Sequence, residues 1–260
     1  MKTAVLLAAY TINDYTTKLG KRYIQLLQKH FKDADIYVGI NLSPLQDELI
    51  QLLNESGLNI KNEVTPEHRV TDSDASAYQT ALRLLKSSGK KYDLCFFMHY
   101  KGATYQDSRY ITKLHLQALL EDRIRIESLF ARNKKIGLYS LAGWTYDGGP
   151  WAETAHEYIK LPYPIQLQIQ PIFTFYVIRG SAVQYIIKNA TDAFFDQRLP
   201  NRYFFENIPP QMVFGQGYEP YIDQFWIYDN RGLTILPEHI ARERFENKII
   251  KWRTDNNIQG

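Results

Sequence analysis

Apolar residues in the first hundred positions follow two alternating patterns, short unbroken runs and longer segments with apolar residues three or four apart. The unbroken run at residues 4–9 predicts a strand, because a continuous apolar run fits a strand buried on both faces of a sheet, and residues 35–40 and 58–64 are interpreted as the next two strands. The spaced pattern predicts helices over residues 15–31 and 44–53. Strand and helix therefore alternate from the start of the chain.

An almost unbroken apolar run, residues 92–98, breaks abruptly into His99, Lys101 and Gly102. A helix with apolar residues at helical spacing, preceded by Asp74, leads into this run. Alternation along a strand points His99 and Lys101 the same way, and Gly102 lets a ligand or another backbone approach closely. The run is therefore either a strand that ends at a ligand-binding crevice or a strand that ends in a plain polar turn.

The second half continues with fewer apolar runs. The pattern there predicts a long helix over about 110–130, a strand at 135–141, a glycine-rich loop at 142–150, a strand at 171–180 and a helix at 181–189. Beyond these, helical and irregular structure is expected, with an aromatic-rich stretch at 203–214, a turn at 215–217, a segment at 218–226 and a last helix at 237–252.

The alternation predicts an α/β protein: a single Rossmann-like domain whose mostly parallel central sheet is flanked by helices, with a C-terminal helical extension. We expect the domain to cover residues 1–235, with a nucleotide-binding half at about 1–102 and a second half at about 103–235. Residues 236–260 are expected to form a helix packed on that domain.

Composition narrows the class of protein only a little. Of the 260 residues, 45% are hydrophobic and 23% charged, which is typical of a globular protein, and the net charge of +3 is interspersed, so no nucleic-acid partner is expected. The one cysteine, Cys95, rules out an internal disulfide and a thiolate-rich metal site. The apolar N-terminal segment is interpreted as the first strand rather than a signal peptide, and no integral membrane segment is expected, so we predict a cytoplasmic protein.

Motifs of common α/β enzymes are missing from the sequence. There is no G-x-G-x-x-G loop after the first strand, no Walker phosphate loop, no G-x-S-x-G elbow and no H-E-x-x-H pair. Dehydrogenase, P-loop and α/β-hydrolase functions therefore lose their usual sequence support.

Polar residues instead collect at predicted strand ends and helix starts. In an open parallel sheet these positions share one edge, where nucleotides bind. Each has a simpler structural explanation when taken alone, as a helix cap or a turn former. The candidates for a donor-binding site are Ala9, Tyr10, Asn13, Asn41, Asp72, Asp74, His99 and Lys101.

Two stretches carry a family resemblance. Residues 72–101, with Asp74, a helix, an apolar strand and the His99-Tyr-Lys101 exit, resemble the donor-binding half of GT-A glycosyltransferases, most closely the rhamnan synthesis protein F type. Residues 173–179, which end in Arg179, resemble a later strand of that group, although Ile172 stands where glycine is usual. The resemblance spans residues 2–226 and implies a GT-A-like domain that moves a sugar from a nucleotide-sugar to a glycan acceptor.

The sequence departs from that group in the metal motif. Most metal-dependent GT-A enzymes carry an Asp-x-Asp pair at the end of the strand that here ends in His99 and Lys101; Asp72 and Asp74 spell the pattern but precede the helix. Either Lys101 neutralises the leaving diphosphate, or His99 and a carboxylate bind a divalent cation such as Mn²⁺ or Mg²⁺. We expect a reduced or absent metal requirement.

Sugar transfer also needs a base and a place for the acceptor. Glu219 and Asp223 are the candidate bases, since a helix over this segment would place both carboxylates on one face; Glu206 is a weaker candidate. The expected acceptor-binding residues are Trp144, Tyr146 and Asp147 of the glycine-rich loop, together with Arg179. An amphipathic helix with solvated acids and a loop anchored by tryptophan are the plainer alternatives. The resemblance implies inversion at the anomeric carbon, which needs one base and no protein nucleophile.

A second class of function is also compatible with this sequence. The chain is then a non-catalytic carbohydrate- or protein-binding module on the same scaffold, part of a larger surface-polysaccharide assembly. With either function we expect a cytoplasmic protein peripheral to a membrane-associated glycan assembly. It would bind a glycan or a partner without nucleotide affinity. The sequence does not reveal the oligomeric state.

Overall fold

The computed structural model describes residues 1–66, 74–100, 119–145, 157–160, 169–171, 175–196, 199, 204–229 and 232–235, with isolated positions between 243 and 257. The chain divides into two compact units, Met1–Ser128 and Leu129–Gly260. The predicted boundaries near residues 102 and 235 stay predictions.

The first unit is built on four parallel strands. They are β1 (Thr3–Ala9), β2 (Asp35–Ile40), β3 (Ile60–Val64) and β4 (Leu94–His99). Their order is β3-β2-β1-β4, with every neighbouring pair parallel. All side chains of β1 and β4 are buried, because helices cover both faces of a parallel sheet. The predicted strands are confirmed, with β3 beginning at Ile60.

Three helices connect these strands: α1 (Asp14–His30), α2 (Gln46–Glu55) and α3 (Ala75–Ser88). Asn13 caps α1 as predicted. Its side chain accepts a hydrogen bond from the backbone nitrogen of Thr16, and the Thr16 hydroxyl oxygen accepts one from the backbone nitrogen of Asn13. The predicted helix at 44–53 lies two residues further along as α2, whose N-cap residue, Leu45, has no side chain that can hold the first turn.

The second unit combines parallel and antiparallel strands around β5. Its described elements are α4 (Arg123–Arg132, which begins in the first unit), β5 (Ile136–Thr145), β6 (Ile169–Pro171), β7 (Tyr176–Arg179), α5 (Gly180–Asn189), α6 (Asp192–Asp196), α7 (Phe204–Gly215), β8 (Glu219–Asp229) and β9 (Gly232–Ile235). Strand β5 pairs parallel with β8 and antiparallel with β6 and β7, and β8 pairs antiparallel with β9.

Two predictions in this unit were wrong. Residues 219–226 form strand β8 and not a helix; Tyr221, Ile222, Phe225 and Trp226 are aromatic or β-branched residues that favour strands. The predicted loop from residue 142 begins later, because β5 continues to Thr145 and places Trp144 opposite Gln170 of β6. Strand β9 was not predicted.

The α/β class with a mostly parallel central sheet flanked by helices is confirmed. Near the C-terminus the described positions from Glu243 to Asp255 are helical, and the Arg253 guanidinium donates to the carbonyl oxygens of Phe214 and Tyr218. Among the residues that the structure describes, no helix has the length and apolar character needed to cross a bilayer.

Candidate functional site

The carboxyl ends of β1, β2 and β4 lie side by side. Ala8 pairs with His99 of β4, and Ala9 pairs with Ile40 of β2. The hydrogen bonding continues past the strands, since the backbone nitrogen of Asn41 donates to the Ala9 oxygen at 2.9 Å. Ala9, Tyr10, Asn41 and His99 therefore share one edge, the edge at which parallel sheets bind ligands.

Asp74 and His99 come together at this edge. The distance from His99 Nε2 to Asp74 Oδ2 is 3.3 Å, with 2% of the His99 side chain and 29% of the Asp74 side chain exposed. Asp74 occupies the N-cap position of α3, but its side chain makes no capping hydrogen bond. Helix capping therefore does not explain this carboxylate, which contacts a buried imidazole instead.

The His99 ring has a different neighbour at each nitrogen. The Tyr78 hydroxyl lies 3.5 Å from Nδ1, at the outer limit of a hydrogen bond, while Nε2 faces the Asp74 carboxylate. The contact of Nε2 with Asp74 is an electrostatic one, and the tautomer of the ring sets whether Nδ1 donates to the Tyr78 hydroxyl or accepts from it. The His99 carbonyl oxygen accepts from the Tyr23 hydroxyl. These contacts fix the imidazole and, through it, the Asp74 carboxylate.

Tyr78 was not predicted, although the sequence contains an indication of it. It follows Asp74 by four residues in the chain, and residues four apart lie on the same face of a helix.

Close packing of α3 on β2 brings Asp74 to this edge. A Cβ atom on Gly39 of β2 would lie 1.8 Å from the carbonyl oxygen of Ala77 in the first turn of α3. Only glycine permits this approach of helix backbone to strand backbone. Gly39 therefore sets the depth at which the start of α3, including Asp74, sits against the sheet.

The other predicted donor-site residues that the structure describes also lie near strand ends. Asn13 caps α1, and its Oδ1 accepts from Thr16 N at 3.0 Å. Asn41 and Ala9 are buried, and burial raises the pKa of the half-buried Tyr10 hydroxyl. Whether any of them binds a donor stays a prediction. Asp72, Lys101, Tyr146 and Asp147 lie outside the described residues, and only the backbone of Trp144 is described.

A divalent cation would find two ligand atoms at this edge. His99 and Asp74 offer an imidazole nitrogen and a carboxylate oxygen, both of which Mn²⁺ accepts. In the described part of the chain, no third His, Cys, Asp or Glu joins them. A cation here would therefore need ligands from elsewhere.

Arg179 lies at the end of β7 and contacts the end of α4. Its guanidinium donates to the carbonyl oxygens of Phe130 at 3.1 Å and Asn133 at 2.8 Å, and its carbon lies 5.2 Å from the centre of the Phe130 ring. Burial lowers the pKa of this guanidinium. These contacts close the C-terminus of α4; binding of an acceptor by Arg179 stays a prediction.

The two candidate bases occupy strand β8. Glu219 is exposed at its start, whereas Asp223 is half-buried and accepts a hydrogen bond from the Tyr139 hydroxyl at 2.5 Å. Alternation still places both on one face, but four residues of strand separate them by about 13 Å rather than one helical turn. Glu206 of α7 is buried. Tyr139 was not predicted, because its relation to Asp223 depends on β8 being a strand.

Comparisons with known proteins give weak similarities. No protein-family profile and no curated protein matches the chain. Among solved structures, glucosyl-3-phosphoglycerate synthase from Mycobacterium tuberculosis, in complex with uridine diphosphate, is 13% identical over 100% of this chain and 81% of its own, with a TM-score of 0.36. Another structure of that enzyme contains Mn²⁺ and UDP-glucose.

Residues 1–349 of S. aureus TarS, in complex with UDP-GlcNAc, are 11% identical over 95% of this chain and 64% of their own length, just under two thirds, with a TM-score of 0.42. A nucleoside-diphosphate-sugar pyrophosphorylase from Vibrio cholerae is 10% identical over 94% of this chain and 99% of its own, with a TM-score of 0.41. TM-scores this low do not establish a shared fold.

Proposed function

We propose that the protein is a glycosyltransferase that moves a sugar from a nucleotide-sugar donor to a carbohydrate acceptor. The observation that carries the proposal is the pairing of Asp74 with buried His99 at the shared carboxyl edge of β1, β2 and β4. The resemblance of residues 72–101 to the donor-binding half of GT-A glycosyltransferases supports the same function. Its rhamnan synthesis F-like character suggests a surface polysaccharide as the acceptor and a position peripheral to a glycan assembly.

In this proposal the first unit binds the donor. The Asp74 carboxylate, held by His99, accepts hydrogen bonds from hydroxyl or N–H groups of the nucleoside. Lys101 is assigned to the diphosphate, where an ammonium group neutralises the charge that develops as the diphosphate leaves. A divalent cation bound with the help of His99 and Asp74 would supply the same neutralisation.

Transfer requires a carboxylate that receives a proton from the acceptor. One of the two candidate carboxylates of β8 takes the proton of the acceptor hydroxyl while the hydroxyl oxygen attacks the anomeric carbon. The bond from that carbon to the diphosphate breaks, and the leaving diphosphate keeps the electron pair. A single displacement of this kind inverts the anomeric centre.

Calorimetry tests the donor assignment without knowledge of the acceptor. The wild-type protein is titrated with UDP, GDP and dTDP, each with Mn²⁺ and with a chelator. Saturable binding of at least one nucleotide is expected. Binding of none under either condition contradicts the proposal, and glycan binding in its place would identify a non-catalytic carbohydrate-binding module.

A further inference from the structure

The two candidate bases on strand β8, Glu219 and Asp223, have different surroundings. We infer that Asp223 is the carboxylate that receives the acceptor proton and that Tyr139 is the residue that positions it. This inference rests on the proposed glycosyltransferase function. It assigns a role to Tyr139, which the sequence did not suggest, and it chooses between Asp223 and Glu219.

The Tyr139 hydroxyl is fixed in space by the packing of its ring. Tyr139 is fully buried in β5 and pairs in register with Tyr221 of β8. The two rings stack with their centres 6.1 Å apart and an interplanar angle of 18°. A ring held on a strand and against a second ring has little freedom to rotate. Its hydroxyl is therefore a donor at a fixed position.

Asp223 follows Tyr221 by two residues and so lies on the same face of β8, diagonally across from Tyr139. The Tyr139 hydroxyl donates to Asp223 Oδ2 at 2.5 Å. Asp223 is half-buried, and the Tyr139 hydroxyl orients its carboxylate.

Glu219 lacks these features. It pairs with Ile136 at the amino end of the parallel pair β5 and β8, while Asp223 lies further toward the carboxyl end, between residues paired with Ser140 and Ala142. Ligands of parallel strands bind at the carboxyl ends. Glu219 is also exposed, and an exposed glutamate on a flexible stem has no fixed geometry for proton transfer.

The step assigned to Asp223 is a single proton transfer coupled to displacement. The proton of the acceptor hydroxyl moves to the carboxylate as the oxygen forms its bond to the anomeric carbon. The bond between that carbon and the diphosphate oxygen breaks, and the electron pair leaves with the diphosphate. Water can replace the acceptor in the same step, so slow hydrolysis of the donor reports on the base.

The test measures release of nucleoside diphosphate from UDP-glucose, GDP-mannose and dTDP-rhamnose, together with calorimetric binding of UDP, GDP and dTDP. The variants are Tyr139→Phe, Asp223→Asn, the double variant, and Glu219→Gln as the matched control on the same strand. For Asp223→Asn we expect a loss in kcat of about 100-fold or more, which is the usual contribution of a general base. For Tyr139→Phe, which removes one charge-assisted hydrogen bond, a loss of about tenfold is expected.

Three features of the result support the inference. The donor KM and nucleotide affinity stay unchanged in Tyr139→Phe and Asp223→Asn, the double variant is no slower than Asp223→Asn alone, and Glu219→Gln keeps wild-type kcat. A merely structural role for Tyr139 would lower kcat further in the double variant, because the two effects would then be independent.

Several results overturn the inference. They are full kcat in Tyr139→Phe or Asp223→Asn, loss of kcat in Glu219→Gln, and no donor hydrolysis by a wild-type protein that binds nucleotide. Wild-type protein that binds no nucleotide would instead contradict the proposed function itself. If Tyr139→Phe does not fold, Asp223→Glu takes its place: it keeps the carboxylate but displaces it, and full activity in that variant also contradicts the inference.

Discussion

Buried tyrosine hydroxyls hold polar groups in place in both units of the protein. Tyr23 donates to the carbonyl oxygen of His99, Tyr139 to the carboxylate of Asp223, and Tyr176 to the carbonyl oxygen of Phe205. A tyrosine side chain carries its hydroxyl at the far end of a stiff ring, so it reaches a distant acceptor with few rotamers to order. The first two of these acceptors belong to residues of the proposed site.

The third acceptor, the Phe205 carbonyl oxygen, shows why such a hydroxyl is needed. Helix α7 contains Pro209, whose missing N–H would otherwise bond to the carbonyl oxygen of Phe205, four residues earlier. The Tyr176 hydroxyl replaces it, donating to that oxygen at 2.7 Å in a fully buried position. Without Tyr176 the buried carbonyl would lose this donor.

Tyr176→Phe is therefore expected to lower the free energy of unfolding by about 1–3 kcal/mol, because it removes a buried hydrogen bond to a backbone carbonyl. Denaturant unfolding followed by circular dichroism measures it. Tyr185→Phe on α5 is the matched control, since the Tyr185 side chain is only half-buried, and a change within about 0.5 kcal/mol is expected there. Equal effects of the two substitutions would contradict this role of Tyr176.

The sequence predicted part of the site at the scale of single residues. Asn13, Asp74 and His99 are polar residues at the ends of strongly periodic segments, so their edge position followed from the pattern alone. The partners of His99 and Asp223 could not be predicted in the same way. Tyr78 and Tyr139 lie inside a helix and a strand, where a tyrosine usually serves core packing, and only the three-dimensional neighbours reveal the hydroxyl contacts.

At the scale of elements, the packing of α3 on β2 determines where Asp74 lies. The approach of Gly39 to the backbone of Ala77 leaves no room for a side chain. Helix α1 packs less tightly around its own glycine: a Cβ atom on Gly20 would lie 3.2 Å from the Tyr100 hydroxyl oxygen, a side-chain atom that can shift.

Gly39→Ala is expected to destabilise the protein by about 1–3 kcal/mol or more, because strand and helix backbones must separate. Gly20→Ala is expected to cost much less, since alanine favours the helix and the neighbouring side chain can adjust. Thermal unfolding of the two variants compares them directly. A similar melting temperature for both would show that α3 is not held by close backbone packing.

A second contact between elements joins the end of α1 to the start of α4. Arg123 is buried and donates to the His30 carbonyl oxygen at 2.7 Å and to both carboxylate oxygens of Asp33, at 2.5 and 3.0 Å. The hydrogen bond from Arg123 lowers the pKa of the Asp33 carboxyl below its ordinary value. The ionised form of Asp33 is therefore favoured by folding.

This lowered pKa predicts a pH dependence with a definite sign. Because the folded-state pKa of Asp33 lies below its unfolded value of about 3.9, the stabilisation is fully present above that pH and is lost as the pH falls through the folded-state pKa. The difference in free energy of unfolding between wild type and Asp33→Asn should therefore shrink as the pH is lowered from 6 toward 2. Urea unfolding across this range measures it, and a difference that stays constant or grows would contradict the account.

At the scale of the whole molecule, the two units differ in how far the sequence predicts them. The strands of the first unit alternate with clear helical segments, and three of the four are mostly apolar, so both their existence and their parallel pairing followed from alternation. In the second unit β5 has antiparallel as well as parallel partners. Its aromatic-rich segments fit a helix or a strand equally well by periodicity, and their strand partners are distant in the chain. For these reasons the segment that forms strand β8 was predicted to be a helix.

The proposed function requires nucleotide binding at the carboxyl edge of the sheet in the first unit. Substitutions at the carboxyl and amino edges of that sheet test whether binding depends on the carboxyl edge alone. Asp74 lies at the carboxyl end beside His99, whereas Asp93 lies at the amino end just before β4, where its carboxylate accepts from Lys2 N at 2.7 Å. The substitutions Asp74→Asn and Asp93→Asn remove the same charge at opposite edges.

Calorimetric titration of wild type, Asp74→Asn and Asp93→Asn with UDP, GDP and dTDP is the most direct test. We predict that at least one nucleotide binds the wild type, that its affinity falls about tenfold or more in Asp74→Asn, and that it is unchanged in Asp93→Asn. No binding of any nucleotide to the wild type, or equal weakening in both variants, would contradict a nucleotide-sugar site at the carboxyl edge of β1, β2 and β4.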